Sequence, residues 1–183
     1  MLKKRELHDV PTLFPLLNDE AVKPFVRETA KSTEEYYFFI NQMNQREENG
    51  ELISRTILDE FESPVGAISL YDIEDGKGFL ATWLGKPYFG QGYNQYAKEL
   101  FLSEIFLQCD IEVVFLKVNK INHRSIKAVH KLGYATQAND TYPQVYERIN
   151  QGEKEYDLFA VYKEAFMFYL NDQHQAEISE LEA

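Results

Sequence analysis

The order of apolar and polar positions divides the chain into helical and extended stretches. A short strand runs to Leu7, and Asp9-Val10-Pro11 opens a helix with a cap residue and a first-turn proline. Leu13, Phe14, Leu16 and Leu17 give that helix an apolar face, and Pro15 limits its regularity. Residues 18–31 form a linking loop with Pro24 and several charges. Ser32 and Glu35 make a capping box for a second helix with Tyr36, Phe39, Ile40 and Met43 on one face, and Gly50 ends it. Three strands follow, Leu52–Leu58, Val65–Ile73 and Gly78–Leu84, separated by Ser63-Pro64 and Asp75-Gly76 as an antiparallel meander.

Beyond Gly85-Lys86-Pro87, a glycine-containing loop over Tyr88–Tyr93 leads into a helix at about Gln95–Leu107. Ala97, Leu100, Phe101 and Ile105 form its buried stripe. Glu112–Val118 is a strand, Arg124–Leu132 a helix capped by Gly133, and Tyr134–Thr136 the start of another strand. Tyr146–Ile149 and Tyr156–Lys163 are expected as two further strands around Gly152, with a short helix or frayed tail at the end. The fold class is therefore α+β, with a mixed, mainly antiparallel central sheet flanked by helices. One domain is expected over residues 1–170, followed by an acidic, poorly ordered tail over 171–183.

Composition narrows the function. With 44% hydrophobic residues, 12 Tyr and 13 Phe, the chain has material for a core and for an aromatic-lined cleft. A formal net charge of -11 weighs against nucleic-acid and anionic-membrane partners and is compatible with a cationic ligand. The single cysteine, Cys109, excludes an intramolecular disulfide and a metal-binding cysteine pair, and is expected as a small buried residue. The basic N-terminus is not followed by an apolar stretch, so a cytoplasmic address is expected.

Gly90-Gln91-Gly92 lies directly after a strand and before a helix. There, backbone N–H groups without intrahelical partners converge with the helix dipole on an approaching anion, and glycine lets the anion come close. Two glycines so spaced also make an ordinary turn. A Walker loop is excluded because Tyr93-Asn94 follows Gly92, and a dinucleotide fingerprint because position 95 is Gln.

The run Trp83-Leu84-Gly85-Lys86-Pro87-Tyr88-Phe89-Gly90-Gln91-Gly92-Tyr93 resembles the acetyl-CoA loop of the GNAT superfamily of N-acetyltransferases. The likeness is to the branch containing ribosomal-protein N-terminal acetyltransferases. Val118-Asn119-Lys120-Ile121-Asn122-His123-Arg124-Ser125, with Lys131-Leu132-Gly133-Tyr134, is similar to that branch's second motif, and Tyr156–Tyr162 to its final strand. The resemblance implies the acyl-CoA N-acyltransferase fold, acetyl-CoA as cosubstrate, and direct transfer of acetyl to a primary amine, either a protein N-terminus or a small amine. It also allows a homodimer. It assigns the backbone of Trp83 and Leu84 to the pantetheine arm, and Phe89, Gly90, Gln91, Gly92, Tyr93 and Asn94 to the pyrophosphate loop. Asn122 is implied as a cofactor contact, and Ser125 as a cofactor contact and general acid for the departing thiolate. The family commonly has Arg or Gln at Phe89, and Gly or Ala at Asn94, where asparagine is expected to cap the helix.

By residue type alone, Asn122 is a turn or cap residue and Ser125 a first-turn residue. His123 and His130 are helix-surface residues, and no side-chain cluster has metal-ligand spacing. Candidate bases are Glu28, Asp72 and Glu74, each read first as a solvated surface charge. Acceptor specificity is expected in Tyr36-Tyr37-Phe38-Phe39 and the loop Pro24–Glu28. A non-catalytic acyl-CoA-binding or regulatory module on the same fold and a cofactor-free interaction protein are the alternatives.

Overall fold

In the computed structural model the backbone is described for residues 1–181 and the side chains for residues 1–176. The chain divides into two units, Met1–Asp110 and Ile111–Ala183.

The first unit is built on β1 (Leu2–Lys4), β2 (Ile53–Leu58), β3 (Pro64–Glu74) and β4 (Lys77–Leu84), each antiparallel to the next. β3 and β4 are joined through Asp75 and Gly76, both at positive φ, the conformation that an Asp-Gly hairpin turn demands. Strand alternation sorts the two faces. Thr56, Ala67 and Trp83 occupy one row, and Arg55, Ile68 and Thr82 the row that points the opposite way. Helices α1 (Val10–Leu17) and α2 (Thr33–Glu48) cover the first face. There Val10, Leu13, Leu17, Tyr36, Ile40, Ala67 and Trp83 form a buried apolar cluster. Helix α3 (Tyr93–Gln108) covers the second, and its Glu104 binds the Arg55 guanidinium.

Local chemistry explains the helix ends. The Ser32 hydroxyl accepts from the Glu35 amide at 3.2 Å, and the Glu35 carboxylate accepts from the Lys31 amide at 2.7 Å. The capping box thus closes one residue earlier than its ideal form, and a cap of this kind stabilises a helix by about 1 kcal/mol. Asp9 precedes α1 without a side-chain cap bond, because its carboxylate is engaged by Thr56 and Lys3. The expected strand through Leu7 stops at Lys4, and Leu7–Asp9 is a 3-10 turn leading straight into α1.

The second unit contains β5 (Val113–Asn119), α4 (His123–His130), β6 (Ala135–Gln137), α5 (Pro143–Ile149), β7 (Tyr156–Tyr162) and α6 (Lys163–Leu181). β7 lies between β5 and β6 and is antiparallel to both. The expected strand at Tyr146–Ile149 is instead the end of α5. Pro143 sits at its start, where a proline loses no hydrogen bond, and the Asn150 amide closes its end on Glu147. The expected tail over 171–183 is helical as far as Leu181, and residues 182–183 lie outside the described part. Cys109 is half-buried rather than buried, at the end of α3, and burial pushes its thiol up. No helix among the described residues is long and apolar enough to cross a membrane.

Candidate functional site

The loop between β4 and α3 is tied down before it opens. Gly85 donates to the Val65 carbonyl at 2.8 Å, and Lys86–Tyr88 make a 3-10 turn closed by Tyr88 to Gly85 and Phe89 to Lys86. Phe89 packs against the α1/α2 cluster, and the Gln91 side-chain amide donates to the Pro87 carbonyl at 2.6 Å. Gly90 and Gly92 then take φ of 75° and 86°, in the left-handed region that side chains with a Cβ resist. A Cβ built on either would meet nothing within 4 Å, so the loop presents its backbone to open space.

Helix α3 starts at Tyr93, two residues before its expected start. Its cap is Gly92, which offers no side chain to the first-turn amides. In contrast to α2 and α4, which Ser32 and Asn122 cap, these N–H groups face outward for an external acceptor. Asn94, expected as the cap, lies inside the first turn, and its Oδ1 is buried without a hydrogen-bond partner. Tyr93 turns away from the glycines, packing edge-on against Tyr88 at 5.9 Å and donating its hydroxyl to Glu60. That bond raises the Tyr93 phenol to about 12 and lowers the Glu60 carboxyl. The arrangement suits an anion: a dipole end, unengaged amides and no side chain in the way.

Trp83 and Leu84 are buried in β4, in register with Ala67 and Gly66. A Cβ on Gly66 would fall 2.2 Å from the Trp83 carbonyl, so glycine is what allows the two strands to approach at the base of the loop. Beside Trp83 lies a buried polar group that the sequence reading missed. Arg5 holds Glu28 through two bonds of 2.9 and 3.2 Å, and both residues bond the Tyr36 hydroxyl at 2.8 Å. Ser54 and Ser69 join at 2.7 Å on the neighbouring strands. Burial is the largest single influence and would raise the Glu28 carboxyl, but the Arg5 charge and the hydrogen bonds from Arg5 and Tyr36 together outweigh it, and the carboxyl is held low. The Trp83 indole also favours the carboxylate, although its Nε1 completes no hydrogen bond. Glu28 is therefore a buried, paired anion and not the solvated charge that was expected, and a lowered carboxyl is a weak base. Asp72 and Glu74 are exposed, and Asp72 pairs with Arg27 at 3.0 Å.

In the buried stripe of α3, Lys98 stands beside Ala97, Phe101, Leu102 and Ile105, while Leu100 is only half-buried. Burial pulls the Lys98 ammonium down to about 8. In the second unit, Asn122 caps α4, its Oδ1 accepting from the Ser125 amide at 3.1 Å, and Ser125 is half-buried in the first turn. His123 and His130 are exposed. Glu6, His8 and Asp9 are close enough to one another to hold an ion, but the Lys3 ammonium occupies their midst, at 2.7 Å from Glu6, 3.0 Å from His8 and 2.8 Å from Asp9.

Residues 1–135 match the family model described as an acetyltransferase (GNAT) domain. No curated protein matches the chain. Among solved structures, a spermidine N-acetyltransferase from Vibrio cholerae, in complex with CoA and spermine, is similar with a TM-score of 0.72 and 12% identity, over 91% of this chain and 97% of that one. FdhC, described as a nucleotide-linked sugar GNAT, gives a TM-score of 0.74 and 16% identity over 94% and 92%. A ribosomal-protein alanine acetyltransferase from Vibrio fischeri gives 0.70 and 15% over 88% and 92%.

Proposed function

Since the chain belongs to the GNAT family of acetyl-CoA-dependent acetyltransferases, we propose that it moves the acetyl group to a primary amine by direct attack in a ternary complex. The observation that carries the reading is the loop at Gly90–Gly92, whose side-chain-free amides stand at the N-terminus of α3. In this reading the amides of Gly90, Gln91, Gly92, Tyr93 and Asn94 receive the diphosphate, with Phe89 anchoring the loop to the core. The main chain of Trp83 and Leu84 pairs with the pantetheine arm, and one of its N–H groups polarises the thioester carbonyl. In the second unit, taken by itself, the Asn122 oxygen is committed to capping α4, and its side-chain NH2 and the Ser125 hydroxyl are the groups that the family resemblance gives to a cofactor contact and to protonation of the departing thiolate.

The acceptor enters on the α1/α2 side of the first unit. Arg5–Glu28 and Arg27–Asp72 tie the loop around residues 24–28 to the residue after β1 and to β3, and Tyr37 and Phe38 are exposed on α2. A primary amine as acceptor is supported by the relatives, one of them a spermidine acetyltransferase, and by the acidic balance of the chain.

Steady-state kinetics on an amine panel test this reading, with spermidine, an amino sugar and a peptide with a free N-terminus as acceptors and thiol release as the signal. Direct attack predicts intersecting initial-velocity lines when acetyl-CoA and the amine are both varied. Parallel lines would show a covalent acetyl-enzyme and contradict it. Cofactor binding without release to any of these amines would favour the regulatory-module alternative.

A further inference from the structure

Lys98 sits in the second turn of α3, and only 8% of it is exposed. Among the described residues it takes part in no ion pair or hydrogen bond, although the chain has 30 carboxylates against 19 lysines and arginines. A helical side chain leans toward the N-terminus of its helix, so the ammonium is carried toward the Gly90–Gly92 end of α3. Two other polar groups in this seam lack partners. Asn94 Oδ1 lies one turn before Lys98 on the same helix face, and Thr82 Oγ1 stands on the side of β4 that faces α3. Further along α3 the seam holds the Arg55–Glu104 ion pair, and its other members are apolar, with Phe101, Leu102 and Ile105 from the helix and Ile68 from the sheet. A buried cation without a counter-ion destabilises a fold unless something anionic is brought to it.

We propose that Lys98 is a positioning residue for the acyl donor, whose diphosphate supplies the counter-charge that the protein withholds. The inference rests on the reading of the loop as the diphosphate site. Helix dipole and ammonium then act together, the loop amides by contact and Lys98 through the field behind them, in a region shielded from water. α3 packs on β1, β3 and β4. The charged and titratable groups on those strands are Lys3 and Lys4, Tyr71, Asp72 and Glu74, and Lys77; Arg55 reaches α3 from β2 through Glu104, and Glu99 and Glu104 stand on α3 itself. None of them moves the Lys98 equilibrium, which burial alone sets near 8. An arriving diphosphate favours the protonated amine, so binding near pH 8.5 takes up protons.

The test is calorimetric titration of acetyl-CoA into the wild type and Lys98→Met at pH 7 and pH 8.5, in buffers of different ionisation enthalpy, beside thermal unfolding of each protein without ligand. The proposal expects the variant to unfold at a higher temperature yet bind at least fivefold more weakly at pH 7. It also expects net proton uptake by the wild type at pH 8.5 that the variant lacks. Affinities within twofold of each other, or wild-type binding without proton uptake, would overturn it. The uptake measurement uses the wild type alone, so it stands even if the variant folds poorly. A wild type that binds no acetyl-CoA would overturn the loop reading as well, whereas normal binding by the variant overturns only the role of Lys98.

Discussion

Among single residues, the most consequential for the fold are Arg5 and Glu28. Both are buried, and each satisfies the other together with Tyr36. Replacing Arg5 with methionine leaves a carboxylate buried without its partner, which costs on the order of 3–5 kcal/mol. Chemical denaturation of Arg5→Met should show a loss of that size. The pH dependence has a definite sign. Because the folded Glu28 carboxyl lies below its ordinary value, the unfolded chain takes up the proton first as pH falls. The stabilisation is complete above the ordinary carboxylate value near 4.5 and disappears as pH drops through the lower folded one. Acid unfolding of the wild type should therefore be steeper in that window than that of Glu28→Gln.

Among the elements, β3 and β4 set where the loop begins. Gly66 has no room for a methyl group, since Trp83 and Leu84 backbone atoms occupy the space. Gly66→Ala should cost about 1–3 kcal/mol, as overpacked sites do, and displace the end of β4. Thermal unfolding reads the first effect and a lowered affinity for acetyl-CoA the second. These strands were legible in the sequence because turn residues punctuate them and Asp75-Gly76 fits only a tight hairpin. The loop was legible because its glycines stand between a strand and a helix. α5 was misread: Tyr146–Ile149 is rich in residues that suit strands, and the proline opening the helix outweighed that composition. Glu28 was hidden for a different reason. A lone acid in a polar loop gives no local sign that an arginine just beyond the first strand will pair with it in the core. Lys98 was hidden because the spacing used for the α3 stripe placed Leu100 inside, whereas the helix is rotated so that Lys98 and Leu102 face the sheet.

At the scale of the whole molecule, a net charge of -11 opposes folding through self-repulsion. Raising salt from about 0.05 to 0.5 M shortens the screening length severalfold. The unfolding temperature should then rise by about 2–4 °C for each kcal/mol that screening restores. A flat response would mean that local ion pairs such as Arg55 with Glu47 and Glu104 offset the repulsion as they break. Against this negative field, the start of α3 is a local exception, where a dipole end and a buried cation come together.

The most direct test of the central claim is calorimetric titration of acetyl-CoA into the wild type and Gly90→Asp. Aspartate tolerates the left-handed conformation, and its Cβ would meet no protein atom at this position. The variant should therefore keep its stability within about 1 kcal/mol. Its carboxylate would occupy the place assigned to the diphosphate, and binding should weaken at least tenfold. Wild-type binding retained in full by Gly90→Asp would contradict the claim that this loop holds the cosubstrate.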